Sequence, residues 1–320
     1  MIANLRLYDD LLDALYETFG RHPGFRVAHA KGVLSTGNFI ASAAARTLST
    51  AFHLSGEAVP VVARFSNFSG LPATPDGDPM ASPYGLALRF QLPDGTCTDI
   101  VAHSYDGFPV ATPTEFLEFL LGIAASSGQP AMPYRLEKFL AEHAAAKDFM
   151  ISPKPAPRSY ASIPYFGVNS FVFIDADGGR RFGRYRVGPS INLPALTDVE
   201  IAETSPDYLS EELRTRLSSG AISLRLVLQL ANPDDDISDG SVAWARIGDL
   251  AHEEIELGEL LLDGFPGSVE QRFWQRNLNF NPGRITAGIE LSDDPMVAAR
   301  QGIYDRAVKR RADAAGIEES

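Results

Sequence analysis

Leu86-Ala87-Leu88-Arg89-Phe90-Gln91-Leu92-Pro93-Asp94-Gly95-Thr96-Cys97-Thr98-Asp99-Ile100-Val101 holds two strand-like runs joined by a turn. Leu86–Leu92 and Thr98–Val101 read as strands, and Pro93-Asp94-Gly95 supplies a residue preset for a turn, a carboxylate acceptor and a glycine. The pair predicts an antiparallel hairpin. Upstream, Val59–Phe65 and Phe25–Leu34 read as further strands. Downstream, Ser170–Asp175, Arg181–Val187, Ala221–Leu230 and Ser241–Ile247 do so too, with Asp177-Gly178-Gly179 as a second hairpin turn.

Helical patterns lie between and around these runs. The segment up to Gly20 carries Leu5, Leu11, Leu12, Leu15 and Tyr16 at roughly helical spacing. Gly37–His53, with its Ala41–Ala45 stretch, is helix by composition. Pro113–Ala125, Tyr134–Ala146 and Pro295–Ala315 complete the set. The proline-rich segment Ile151–Arg158 is short for a domain boundary. There is no internal repeat, and the βαβ alternation of a nucleotide-binding fold is missing. About eight strands with inserted and C-terminal helices predict an α+β chain built on an antiparallel barrel or strongly curved sheet.

The 320 residues are 45% hydrophobic and 22% charged, as in a globular protein with a proper core. No run approaches the ~18–20 apolar residues of a membrane helix, and the acidic N-terminus does not resemble a signal peptide. A cytoplasmic protein that does not engage membranes is expected. A formal net charge of −13 argues against nucleic acid. Cys97, the only cysteine, excludes an internal disulfide and a cysteine-ligated cluster.

The common catalytic motifs are absent, and Asp234–Asp236 with Asp239-Gly240 lacks the closing glutamate of a calcium loop. Of the six histidines, His22, His53, His143 and His252 sit in polar or loop-like contexts and read as surface or capping residues. His29 is flanked by apolar residues, and spacing alone leaves it open between a core histidine and a functional one. Arg300 and Tyr304 are four apart and share a helix face. Ionising that phenol at neutral pH needs a shift of about three units, about 4 kcal/mol. A cation at ~4 Å supplies at most about that much, and a ferric iron on the oxygen would supply the rest. The same pair also occurs as an ordinary surface contact.

Four ordered blocks resolve these alternatives, because they resemble the haem catalases, and among them the small catalase-related peroxidases. Arg26-Val27-Ala28-His29-Ala30-Lys31-Gly32 is similar to the family's R-V-x-H-A-K-G. Pro60–Ser66 is similar to its P-V-x-x-R-F-S, and Gly85–Phe90 continues that match. Asp99 through Phe116 forms the third block, and Asn281 to Arg311 the fourth, with Arg300-x-x-x-Tyr304 in the place of the family's R-x-x-x-Y.

The resemblance implies one domain over residues 1–320, with b-type haem held by the phenolate of Tyr304. His29 would be the distal histidine and Ser66 would accept from its imidazole. Arg26, Arg64 and Arg311 would hold the propionates, Val27 would touch the cofactor, and Phe108 and Phe116 would line the distal pocket. His103 stands where catalases have asparagine, and Pro109 replaces a phenylalanine. The chain is also much shorter than a catalase. These departures point to a peroxidase that uses an organic electron donor, with weak or modest catalase activity. A hydroperoxide-rearranging enzyme of the allene oxide synthase type and a non-catalytic haem store or sensor are the alternatives. Self-association is left open.

Overall fold

The computed structural model describes residues 2–127, 133–189, 191–244 and 251–318. In chain order the elements are α1 (Ile2–Phe19), β1 (Gly32–Ala41), α2 (Ala43–Leu48), β2 (Val59–Ser66), β3 (Gly85–Gln91), β4 (Cys97–His103), α3 (Pro113–Ser127), α4 (Pro133–Glu142) and α5 (Ala144–Ile151). There follow β5 (Tyr165–Phe166), β6 (Phe171–Ile174), β7 (Arg180–Gly188), α6 (Asp198–Glu203), α7 (Tyr208–Ser219), β8 (Ile222–Leu230), β9 (Glu254–Gly264), α8 (Ser268–Asn277), β10 (Ile289–Leu291) and α9 (Pro295–Glu318).

The sheet runs β7-β5-β4-β3-β2-β1-β9-β8, and β8 pairs back onto β7 to close an eight-stranded antiparallel barrel. β6 and β10 extend outward from β7. Closure leaves the barrel without free edges. Alternation then divides each strand into two faces. Phe65, Ala63 and Val61 of β2, Leu86, Leu88 and Phe90 of β3, and Ile100 and Ala102 of β4 fill the interior. Val62, Arg64 and Ser66, with Ala87, Arg89, Asp99, Val101 and His103, face outward. Trp274, Leu278 and Phe280 cover part of this outer wall by packing on Leu34, Val62, Ala87 and Val101.

Asp99 anchors that cover. Arg89, its register partner, donates to both carboxylate oxygens at 2.9 Å. The guanidinium of Arg284 and the backbone N–H of Asn281 (2.8 Å) complete the set. The loop between α8 and α9 is thereby bolted to the barrel. α9 is held in turn by α1, where Arg310 bonds Asp13 at 2.5 Å and Asp9 at 3.0 Å. Gly302 lets the Tyr8 ring lie against the α9 backbone: a Cβ there would come within 2.5 Å of it.

Several expectations change. Phe25–Leu34 is not one strand: residues 25–31 are irregular, and His29 has φ 54°. The N–H groups of His29 and Ala30 go to the carbonyls of Phe68 (2.8 Å) and Ser69 (3.0 Å). Gly37–His53 is helical only at α2 and at a 3-10 turn starting at Phe52, because residues 37–39 pair with both β2 and β9 and residues 40–41 with β9, and this pairing overrides helix propensity. The Tyr134–Ala146 pattern is two helices that break at His143. Residues 241–244 form no strand, and 245–247 lie outside the described residues. Glu254–Gly264, unassigned from the sequence, is an eleven-residue strand instead. A register shift at Gly258 breaks its alternation: a Cβ there would strike the Ile40 carbonyl.

His22 does cap: its ring bonds the Phe19 carbonyl at 3.0 Å. His53 and His252 are buried rather than exposed. His53 is tucked against Phe90, and His252 is stacked on Trp244 and bonded to Asp235 at 2.7 Å.

Asp99→Ala leaves Arg89 and Arg284 without their carboxylate. Losing one partner of a buried ion pair costs about 3–5 kcal/mol, and urea unfolding of the variant should show a loss of that order.

Candidate active site

One line of the β-ladder sets out the floor of the site. Gly32 pairs with Ser66, Ser66 with Gly85, Gly85 with His103, and His103 with Phe166. Directly opposed residues share a face, so Ser66 and His103 project from the same outer surface on either side of Gly85. The missing side chain of Gly85 makes a notch, and the imidazole of His29 occupies it. A Cβ at Gly85 would lie 2.7 Å from Ser66 Oγ and 2.8 Å from His29 Nδ1.

His29 reaches this notch only because residues 25–31 cross over the barrel instead of joining it. The left-handed backbone at His29 is uncommon for a residue with a side chain, and it turns the ring inward. Nδ1 lies 3.1 Å from Ser66 Oγ, and Phe68 meets the ring edge-on at 5.6 Å. Burial, then the cations of Arg64 and Arg300 and the neighbouring His103, push His29 down to about 3. His103 is likewise pushed down to about 3, chiefly by burial and then by Arg300; the Tyr105 carbonyl opposes the shift. Both imidazoles are therefore neutral at pH 7. The Nδ1 of His103 is buried without a hydrogen-bond partner. Phe108 packs on His103 at 6.4 Å and on Phe116 at 5.1 Å, so these two phenylalanines close the same side.

Three arginines gather beside this floor. Arg64 is 3% exposed; it donates from Nη2 to the His29 carbonyl (2.9 Å) and from Nε to Gln275 Oε1 (2.9 Å). Arg26 donates to the Gln275 and Leu278 carbonyls at 2.7 and 2.9 Å, and to Gln275 Oε1 at 3.1 Å. Arg311, from α9, donates to the Arg276 carbonyl at 2.5 Å. Among the described residues, no carboxylate lies within ion-pair distance of any of the three. Burial and mutual repulsion lower Arg64 to about 9, and burial lowers Arg311 to about 10. Guanidiniums do not give up their protons in proteins. The cost therefore persists as a local excess of positive charge, which an anion would relieve. Val27 is half-buried alongside, its carbonyl over Gly70.

Tyr304 is half-buried on α9, one turn after Arg300. Arg300 Nη2 donates to its hydroxyl at 3.0 Å, and Nη1 donates to Asn169 Oδ1 at 2.6 Å. Asn169 is held by Asp294 at 2.7 Å. Burial raises the carboxyl of Asp294 above its ordinary range. Tyr304 also acts electrostatically on Arg26, so the phenol and the arginine cluster border one space. Phe108 and Arg300 line a common cleft with Val168 and Met296.

The residues that the resemblance assigned to the haem site thus lie around this region. Gln275, Asn169 and Gly85 were not singled out. Gln275 ties Arg26 and Arg64 together and donates to the Gly32 carbonyl at 2.8 Å. No local pattern marks a glutamine that meets its partners from more than two hundred residues away. The acidic loop is spent on turns: Asp236 and Asp239 accept from Ser238 and Ser241, and Asp235 accepts from Asn232 and His252.

A family model described as Catalase matches residues 13–317. The chain belongs to the catalase family. Within it, the chain is 35% identical over 308 residues to a catalase-related peroxidase of Mycolicibacterium paratuberculosis, covering 95% of this chain and 94% of that one. It is 31% identical to a catalase-related peroxidase of Synechococcus elongatus, covering 95% and 88%. The match to a catalase of Latilactobacillus sakei is 26% and takes in 62% of that longer protein. A solved bacterial catalase superposes with a TM-score of 0.78 at 22% identity, over 92% of this chain and 59% of that one, which supports the fold. Within the family the chain groups with the catalase-related peroxidases, and it is an enzyme of the catalase and peroxidase type. No helix among the described residues is long and apolar enough to cross a membrane.

Two tests follow. Gly85→Ala should displace the His29 ring from Ser66 and cost about 1–3 kcal/mol of stability, as overpacking does; urea unfolding and the imidazole NMR signals of His29 would report it. The second test is pH. His29, His53 and His103 are held at about 3, 4 and 3, below their unfolded value near 6.5. The unfolded chain then binds more protons, so stability is full above about pH 6.5 and is lost as pH falls toward 3. Each histidine contributes up to about 1.4 kcal/mol per pH unit there. Unfolding of the protein without added ligand between pH 7 and 4 should show this slope, and His103→Asn should reduce it.

Proposed function

We propose that this chain is a single haem-binding domain that reduces hydrogen peroxide or organic hydroperoxides with electrons from an organic donor, with weak or modest catalase activity. The observation that carries this reading is the trio of half-buried Arg26 with buried Arg64 and Arg311, which lack a carboxylate near His29 and the Arg300–Tyr304 pair. Haem fits that set. Its two propionates match a cationic pocket that lacks an anion, and a phenol with an adjacent guanidinium suits a ferric ion. What haem supplies when bound is the redox chemistry at iron that breaks the peroxide O–O bond.

The chain's own residues do the rest. With Nδ1–H donated to Ser66, the Nε2 lone pair of His29 is free to accept a proton from peroxide. The low proton affinity of the buried ring means that this proton is held weakly and returned readily to the leaving oxygen. Tyr304 would hold the iron, with Arg300 donating to its oxygen at 3.0 Å, and Asn169 and Asp294 keep the guanidinium in place. Arg26, Arg64 and Arg311 would pair with the propionates, each already oriented by a carbonyl or by Gln275. His103, neutral and unpartnered at Nδ1, is the donor or acceptor for a bound peroxide where catalases use asparagine. A histidine ring is bulkier than an amide, which favours a peroxidase over rapid dismutation. The near-complete coverage of the catalase-related peroxidases, against 62% of the catalase, supports the same preference.

After haem loading, His29→Ala should keep its haem but lose about 10²–10⁴-fold in peroxide turnover. Tyr304→Phe should lose the ferric tyrosinate absorption. Unchanged turnover in the first variant, or an unchanged spectrum in the second, would overturn the assignment.

A further inference from the structure

A second cavity, of about 190 Å³, lies outside the region described above, and nothing in the proposed mechanism uses it. Its walls include Pro83, Pro153, Pro155 and Pro164, with Tyr105 and Phe149. A cavity of about 150 Å³ is enough to hold benzene, so one substituted aromatic ring fits here. The apolar edges of the proline rings and two aromatic faces are surfaces on which such a ring packs. The cavity is not wholly apolar. Ser82, Ser104 and Ser152 also line it, and Lys154 stands at the wall with its ammonium donating to the Met150 carbonyl at 3.0 Å. The hydroxyl of Tyr105 has no hydrogen-bond partner among the described residues. The site therefore offers a stacking surface together with donors for an oxygen substituent.

Its position gives the cavity a role. Tyr105 meets Phe149 edge-on at 5.2 Å, Phe149 meets Phe68 at 6.2 Å, and Phe68 meets His29 at 5.6 Å. A continuous row of ring contacts thus joins the cavity wall to the distal histidine. Ser104, which lines the cavity, directly follows His103 in the chain. An organic reductant bound here would lie next to the peroxide site without entering it.

We infer that the cavity between the Ser82–Tyr84 and Ser104–Tyr105 segments and the end of α5 is the docking site for the reductant, a single-ring phenol. This rests on the peroxidase reading above. In the balanced reaction two phenols each give up one electron and one proton. The peroxide accepts both pairs and leaves as two waters, with two phenoxyl radicals as the other product.

The test uses the haem-loaded protein and guaiacol as the probe, with binding read by calorimetry in the absence of peroxide. Ser152→Phe, which places a ring in the cavity, should weaken guaiacol binding at least tenfold and raise the guaiacol KM to match. Because binding needs no turnover, a protein that binds guaiacol but never oxidises it keeps the site and overturns the peroxidase reading alone. Should Ser152→Phe fail to fold, a diazirine-bearing phenol photolysed on the unaltered protein gives the same answer. Its label should fall on peptides containing Tyr105 or residues 149–155 and be competed by guaiacol. Undiminished binding in Ser152→Phe, or guaiacol-competed label confined to other peptides, overturns the proposal.

Discussion

The carboxylate of Asp99 is the fixed point on which the site depends. Its side chain is 0% exposed, and two guanidiniums and a backbone N–H meet on it. Arg89 holds it from the neighbouring strand, and Arg284 and Asn281 hold it from the loop between α8 and α9. Without that anchor the outer wall of the barrel would have no fixed relation to the segment that covers it. With it, Gln275 and the carbonyls of Arg276 and Leu278 stand over Arg26, Arg64 and Arg311, and α9 carries Tyr304 into the same space. A carboxylate buried this deeply is tolerated because every charge on it is answered.

The adjacent region has the opposite character. Two buried arginines and half-buried Arg26 have polar acceptors but no carboxylate, and half-buried His103 has a buried nitrogen with no partner. Structures avoid both features unless something else compensates. Here three such guanidiniums crowd together, whereas buried Arg184 stands apart on carbonyls and a hydroxyl. The depressed histidines belong to the same pattern. Burial chiefly keeps His29 and His103 neutral, and nearby guanidiniums, Arg64 and Arg300 for His29 and Arg300 for His103, add to it.

Much of this was legible in the sequence because local rules decided it. The Pro93-Asp94-Gly95 hairpin, the alternation along β2 to β4 and the i, i+4 relation of Arg300 and Tyr304 all rest on short-range geometry. Misreadings arose where long-range pairing overruled composition. Gly37–Ala41 looks helical, but β9 pairs along all of it and β2 along Gly37–Phe39. Phe25–Lys31 looks like a strand, but its backbone bonds go to the 68–69 segment. Glu254–Gly264 went unseen because the shift at Gly258 breaks its alternation. His53 and His252 have polar neighbours in sequence and aromatic neighbours in space.

By itself, the sequence determined the order of the matched blocks and the residue types within them, since type and spacing are properties of the chain. Only the tertiary structure decided how they meet. It placed Ser66, Gly85 and His103 on one line of the barrel and turned His29 into the notch at Gly85. It also brought Gln275 between Arg26 and Arg64, and left the guanidiniums without a carboxylate. These are relations between segments up to about two hundred and fifty residues apart. They follow from strand register and barrel closure, which no local pattern encodes.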